Sequence, residues 1–219
     1  VGFRTSLLVY TDGDVADRPR TVSPAGPADL GRTTTMLRRL LPGCAIELMG
    51  PASLAEGMWP PFGRVCAGSF PGIDVICAQR LVGERPSALP VRLIAASAGR
   101  RLVAHSMHSV VDWSAFGVWE DRRLVRSLSL CPDEGIIEDI GEPLLFEVPY
   151  QEADRAVVGD SWPDRAEDPN ALPFHALALG ADALRALCRI NLTGPPGPTD
   201  IDTAAVGLHD FLMRGPITD

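Results

Sequence analysis

The chain has 219 residues, a net charge of −8 and 20 basic side chains, every one of them an arginine. Lacking lysine, it excludes P-loop nucleotide hydrolysis, Schiff-base and pyridoxal chemistry, and the kinase and Ser–Lys hydrolase patterns, all of which need a lysine amine. The acidic balance, with no basic run longer than two residues, argues against a nucleic-acid partner, and every apolar stretch is too short to span a membrane.

In chain order, Thr5–Tyr10 reads as a first strand ending at Thr11-Asp12-Gly13-Asp14, not as a signal peptide. The Pro- and Gly-bearing stretch Ala16–Pro27 reads as a loop. Ala28–Leu41 predicts a helix with Leu30, Thr33 or Thr34, Leu37, Leu40 and Leu41 on one face, stopped by Pro42-Gly43. Cys44–Met49 follows as a short strand and completes a β–α–β opening. Pro51–Pro61 is irregular. Arg64–Phe70 and Ile73–Gln79 are strands parted by Pro71-Gly72, a dipeptide that fits either a hairpin turn or a crossover.

Ser87–Ala98 reads as a helix stopped by Gly99. Arg101–Val111, Ser114–Glu120 and Leu124–Leu130 read as strands, the last two joined by a polar turn at Asp121-Arg122-Arg123, and Leu144–Val148 as one more short strand. Residues 149–173 are acidic and poorly periodic, a surface excursion or lid. Asp182 is placed to cap a helix running through Leu192. A Gly/Pro linker at 193–198 then leads to a tail, Leu208-His209-Asp210-Phe211-Leu212, docked on the body. The pattern predicts one α+β (mixed α/β) domain over 1–219: a mixed, largely antiparallel sheet flanked by three or four helices.

The five cysteines are odd in number, scattered and without a C-x-x-C pair, so reduced and mostly buried thiols are expected, and with them a cytoplasmic setting. Asp12-Gly13-Asp14 superficially suggests a phosphotransfer aspartate pair. The residue after the second Asp is Val15 and no lysine exists to complete such a site, so an Asp-Gly turn is the simpler reading. The two carboxylates would still suit a divalent cation such as magnesium. Cys131 has no histidine near it in sequence, and Ser69 is outside any G-x-S-x-G spacing. His175 and His209 lie in unrelated contexts, and no metal site or cofactor is expected.

The stretch from Arg101 to Glu120 carries the most chemistry. His105 and His108 are three apart, which puts them on opposite faces of a strand. The plain reading makes His105 a core histidine and His108 a pocket-edge or surface one. The functional reading makes one of them a general acid–base oriented by a carboxylate. His108 shares strand parity with Asp112 if the strand is unbroken, so that pair is the sharper candidate. Four acids lie between Glu134 and Glu142, a solvated loop by default. Folded over the Arg101–Glu120 strand, that loop would offer Glu138 or Asp139 as a second carboxylate.

The run AGSFPGIDVICAQRL at 67–81, the block AHSMHSVVDWSAFGVWEDRRLVRSLSLCPDEGIIEDIGEPLLFEVPY at 104–150 and the N-terminal TSLLVYTDGD together resemble a family of uncharacterised actinobacterial proteins. The resemblance covers most of the chain and is most specific over 104–150. It implies a cytoplasmic actinobacterial setting and brings no reaction, cofactor or catalytic residue.

The functional expectation is a small-molecule pocket at 104–150. His108 and Asp112 would be its acid–base pair, with His105 and Glu138 as further candidates. Trp113, Phe116 and Trp119 would form an apolar wall, and Arg126 would hold an anionic group on the substrate. The reaction would be a cofactor-free isomerisation, elimination, cyclisation or hydrolysis. The competing expectation is a ligand- or protein-binding regulatory module without catalysis. A homo-oligomer fits either.

Overall fold

The computed structural model describes residues 3–13, 27–152, 172 and 174–215. Its strands are β1 (Arg4–Thr11), β2 (Ala45–Ser53), β3 (Arg64–Phe70), β4 (Ile73–Cys77) and β5 (Arg101–His108), then β6 (Trp113–Glu120), β7 (Arg123–Cys131), β8 (Gly135–Ile140) and β9 (Gly207–Arg214). The helices are α1 (Leu30–Leu40), α2 (Leu54–Gly57), α3 (Val91–Ala95), α4 (Val148–Gln151) and α5 (Ala176–Cys188), with a 3₁₀ turn at Pro86–Ala88. All nine strands join one sheet in the order β2-β9-β3-β4-β1-β5-β6-β7-β8. Every pairing is antiparallel, so the expected mixed sheet is corrected to a purely antiparallel one.

Both faces of the sheet are covered, which explains the near-continuous apolar runs of its central strands. Along β1, Leu7 and Val9 enter one core with Phe116, Leu128 and the α5 residues Leu179, Ala183 and Leu184. Leu8 and Tyr10 enter the other, with Met36, Leu37 and Leu40 of α1, Leu93 of α3, and Trp119. The fold is therefore α+β with a dominant sheet between two helical layers.

Helix α1 is fixed at its start. Asp29 caps it by accepting from the Arg32 amide at 2.8 Å. The Thr33 hydroxyl donates to the Asp29 carbonyl and accepts from the Ser69 amide at 2.9 Å, pinning the helix to β3. Gly72, at φ 71°, closes a β3–β4 hairpin and decides between the two readings of Pro71-Gly72. Asp121 and Arg122 both take positive φ, the pattern of the tight hairpin turn that matches strand twist, although neither is glycine.

Several expectations need correction. The β–α–β opening fails because β2 is an edge strand far from β1. Pro90 splits the helix expected over Ser87–Ala98 into the 3₁₀ turn and five-residue α3. The strand expected at Leu144–Val148 is a turn leading into α4. Helix α5 starts six residues before Asp182, capped by His175, and ends at Cys188. The tail is β9, inserted between β2 and β3. The acidic run after β7 is edge strand β8. Most of the excursion at 149–173, most of the Ala16–Pro27 loop, and Asp14 lie outside the described residues. Among the described residues, no helix is long and apolar enough to cross a membrane.

Candidate functional site

His105 projects from β5 beneath α5 and is fully buried. Its Nε2 lies 2.8 Å from the Gly180 carbonyl oxygen and its Nδ1 3.0 Å from the Thr5 hydroxyl. A carbonyl can only accept, so Nε2 carries the proton and Thr5 donates to Nδ1. Burial drives the imidazole pKa down to about 4, which keeps the ring neutral. Both ring nitrogens are satisfied within the fold, as the core-histidine reading requires.

His108 lies on the opposite face, as the three-residue spacing requires, where it pairs in register with Trp113. Trp59 meets its ring edge-on at 5.6 Å. Among the described residues, its buried Nδ1 has no hydrogen-bond partner. Burial, then the neighbouring Arg4 charge, hold its pKa below the ordinary imidazole value. The strand ends at His108, and the next four residues turn the chain toward β6, with Asp112 at φ 47°. The shared parity of His108 and Asp112 is lost in that turn, and no hydrogen bond or ion pair joins them.

The other candidates do not converge on one wall. Phe116 is in the α5-side core against Phe146, whereas Trp119 is in the α1-side core. Trp113 donates from Nε1 to the Ser129 hydroxyl at 3.0 Å. Glu138 is buried, accepting from the Ser87 amide at 3.0 Å, the Ser87 hydroxyl at 2.7 Å and the Ser127 hydroxyl. It therefore clamps the 3₁₀ turn to β7. Arg126 is buried too. It gives Nε and Nη2 to Glu147, and Nη1 to Asp139 and to the carbonyls of Ile140 and Gly141. Every guanidinium nitrogen already has a partner within the chain, so Arg126 ties β7, β8 and the segment before α4 together.

A cavity of about 470 Å³ opens elsewhere, between α1 and the end of the sheet where β1, β3 and β4 meet. Arg32, Thr35, Met36 and Arg39 line it from α1, Ser69 from β3, Asp74 from β4, and Arg100 from just before β5. Arg100 is held at 2.6 Å by Asp74 and at 2.7 Å by Asp12, the first carboxylate of the Asp-Gly-Asp run. Arg32 and Arg39 are exposed and, among the described residues, have no ion-pair partner. The Ser69 hydroxyl is buried, and its one hydrogen bond among the described residues goes to a weak acceptor, the Met36 sulfur at 3.7 Å. Charge of this sign gathered in an acidic protein suits an oxyanion.

The sequence analysis missed these residues. Arg32 and Arg39 are seven apart on α1, a spacing that repeats on one helix face, and this was the available signal. Arg100 and Asp74 become neighbours only through the β4–β1–β5 pairings. Among the described residues, no group of three or more His, Cys, Asp or Glu is placed to hold a metal ion.

No curated protein and no solved structure matches the chain. Residues 5–211 match the model of one protein family, nearly the whole of the nine-stranded sheet. The chain belongs to DUF6928, a family of unknown function.

Proposed function

We propose that this protein binds a small molecule bearing an oxyanion, a phosphate or carboxylate, in the cavity beside α1. The observation that carries the reading is that two guanidinium groups, Arg32 and Arg39, with no ion-pair partner among the described residues, face one cavity of about 470 Å³ in a chain of net charge −8. That volume is in the range of small-molecule sites, roughly 300–1,000 Å³. The Asp74–Arg100 pair stiffens the far wall, and the Ser69 hydroxyl offers a donor at the floor. The test is a thermal-shift screen of organic phosphates and carboxylates on the wild type and on a R32E/R39E variant. A wild-type shift that the variant loses, with its own unliganded Tm unchanged, supports the reading. No shift with any of these anions sinks it.

A second reading is favoured by one observation, the buried Nδ1 of His108 beside Trp59, unpartnered among the described residues. A neutral imidazole with a free acceptor can take a proton from a ligand that reaches the end of β5. In that reading His108 acts without Asp112. Turnover lost in H108A and kept in D112A would support it; an H108A variant with full turnover would remove it.

A further inference from the structure

Resting on the anion-binding reading, we infer that the ligand carries two linked anionic groups and belongs to the class of diphosphate esters. Arg32 and Arg39 are seven residues apart on α1. On a regular helix that places them on the same face to within about 20° and roughly 10.5 Å apart along the axis. Between them, Thr35 turns its hydroxyl back onto the Gly31 carbonyl at 2.9 Å, so it offers no donor to a ligand.

The other charges of the cavity are committed. Arg100 gives Nη1 to Asp74 at 2.6 Å and Nη2 to the Tyr10 carbonyl at 3.2 Å, and its Nε faces Asp12. Arg100 carries two carboxylates, Asp74 and Asp12, so with Arg32 and Arg39 the group has a net charge of +1, and its positive ends are the two guanidiniums set apart along α1. A single small anion would neutralise one end and leave the other guanidinium unmatched. Two anionic groups joined by a short bridge would reach both.

The floor supports this length. Ser69 lies below the middle of the helix, its amide held by Thr33 at 2.9 Å and its hydroxyl resting on the Met36 sulfur. A phosphate oxygen is a far better acceptor than a thioether, so Ser69 would turn its proton to a bridging group. The buried face of Met36 and the remaining volume leave room for an organic substituent. Among the described residues no aromatic ring lines the cavity, so this lining offers no platform on which a base would stack.

The experiment is calorimetric titration of the full chain with orthophosphate, pyrophosphate and succinate at one fixed ionic strength. Pyrophosphate should bind about tenfold or more tighter than orthophosphate, a difference on the order of 1.4 kcal/mol. R32A and R39A should each bring the two phosphates to within about threefold of one another, while R38A, an exposed arginine of α1 outside the cavity, should leave the preference intact. Equal affinity for the two phosphates would overturn the two-headed ligand while leaving the anion site standing. A preference weakened as much by R38A as by R39A would overturn it as well, as a long-range charge effect. Binding of none of the three anions would remove the site itself.

Discussion

The Nε2 of His105 donates to the carbonyl oxygen of Gly180, joining the middle of β5 to the first half of α5 across 2.8 Å. The bond forms because residue 180 has no side chain. A Cβ there would stand 2.7 Å from the Ser114 Cβ and 3.1 Å from the Met107 sulfur. Ser114 cannot retreat freely, since its hydroxyl donates to the Ala176 carbonyl one turn earlier on the same helix. Glycine at 180 and histidine at 105 are thus two parts of one contact.

G180A should therefore destabilise the protein by about 1–3 kcal/mol, the usual cost of overpacking, even though alanine is the better helix former by about 1 kcal/mol. Urea unfolding of the variant checks this. An unchanged or higher midpoint would mean that α5 can move off the sheet without cost.

Acid should act on the same contact. The folded pKa of His105 is about 4 and the unfolded value is near 6.5, so between them the unfolded chain binds a proton that the fold refuses. Stability is then complete above pH 6.5 and falls as the pH drops toward 4, by about 3 kcal/mol from this residue. H105Q should show a flatter dependence over that window. Parallel curves for H105Q and wild type in urea at pH 7, 6, 5 and 4 would clear His105 of any part in it.

Arg126 is a buried cation whose partners Glu147 and Asp139 come from two different segments. R126A would leave the Glu147 carboxylate, 2% exposed, without its countercharge and should cost about 3–5 kcal/mol. Because paired burial itself is costly, R126M/E147L should recover much of that loss. A double variant no more stable than R126A would show that the hydrogen bonds to Ile140 and Gly141 matter more than the charge.

The thiols give a simple check on packing. Cys44 is half-buried, whereas Cys66, Cys77, Cys131 and Cys188 are buried. Burial, then the nearby Asp210 charge, push the Cys66 thiol up to about 12, and burial raises the Cys77 thiol as well. Ellman's reagent at pH 8 should therefore titrate Cys44 alone in the native protein and all five thiols in denaturant. Rapid reaction of two or more native thiols would contradict the burial of Cys66, Cys77, Cys131 and Cys188.

Much of the fold was legible because its signal is local. The alternation in β1, the capped face of α1 and the polar turn at Asp121-Arg122 all declare themselves within a few residues. The failures share a different cause. Glu138 and Asp139 look like a solvated loop because their partners, Ser87, Ser127 and Arg126, lie outside that run, although only Glu138 is buried and Asp139 stays half exposed. His175 was passed over as a cap because its ring, rather than a Ser or Asp oxygen, accepts the Leu177 amide at 3.2 Å. His108 and Asp112 looked paired because periodicity does not show where a strand breaks. The α1 cavity was invisible for a related reason: the walls from β3, β4 and the segment before β5 meet only through the pairing of β3 with β4 and of β4 and β5 with β1.

The position of β9 bears on the order in which the sheet can assemble. Strands β5 to β8 form a meander in which each strand meets the next, so their pairings close short loops and can form early. Among the described residues, strand β2 has β9 as its only neighbour, with Ala45 opposite Arg214, and β9 also supplies the outer partner of β3. One edge of the molecule therefore waits for the last strand in the sequence. Until then Leu48 and the rest of β2 have no ladder to join. Refolding should show a slow final phase in which β2 and β9 gain amide protection together, well after the meander.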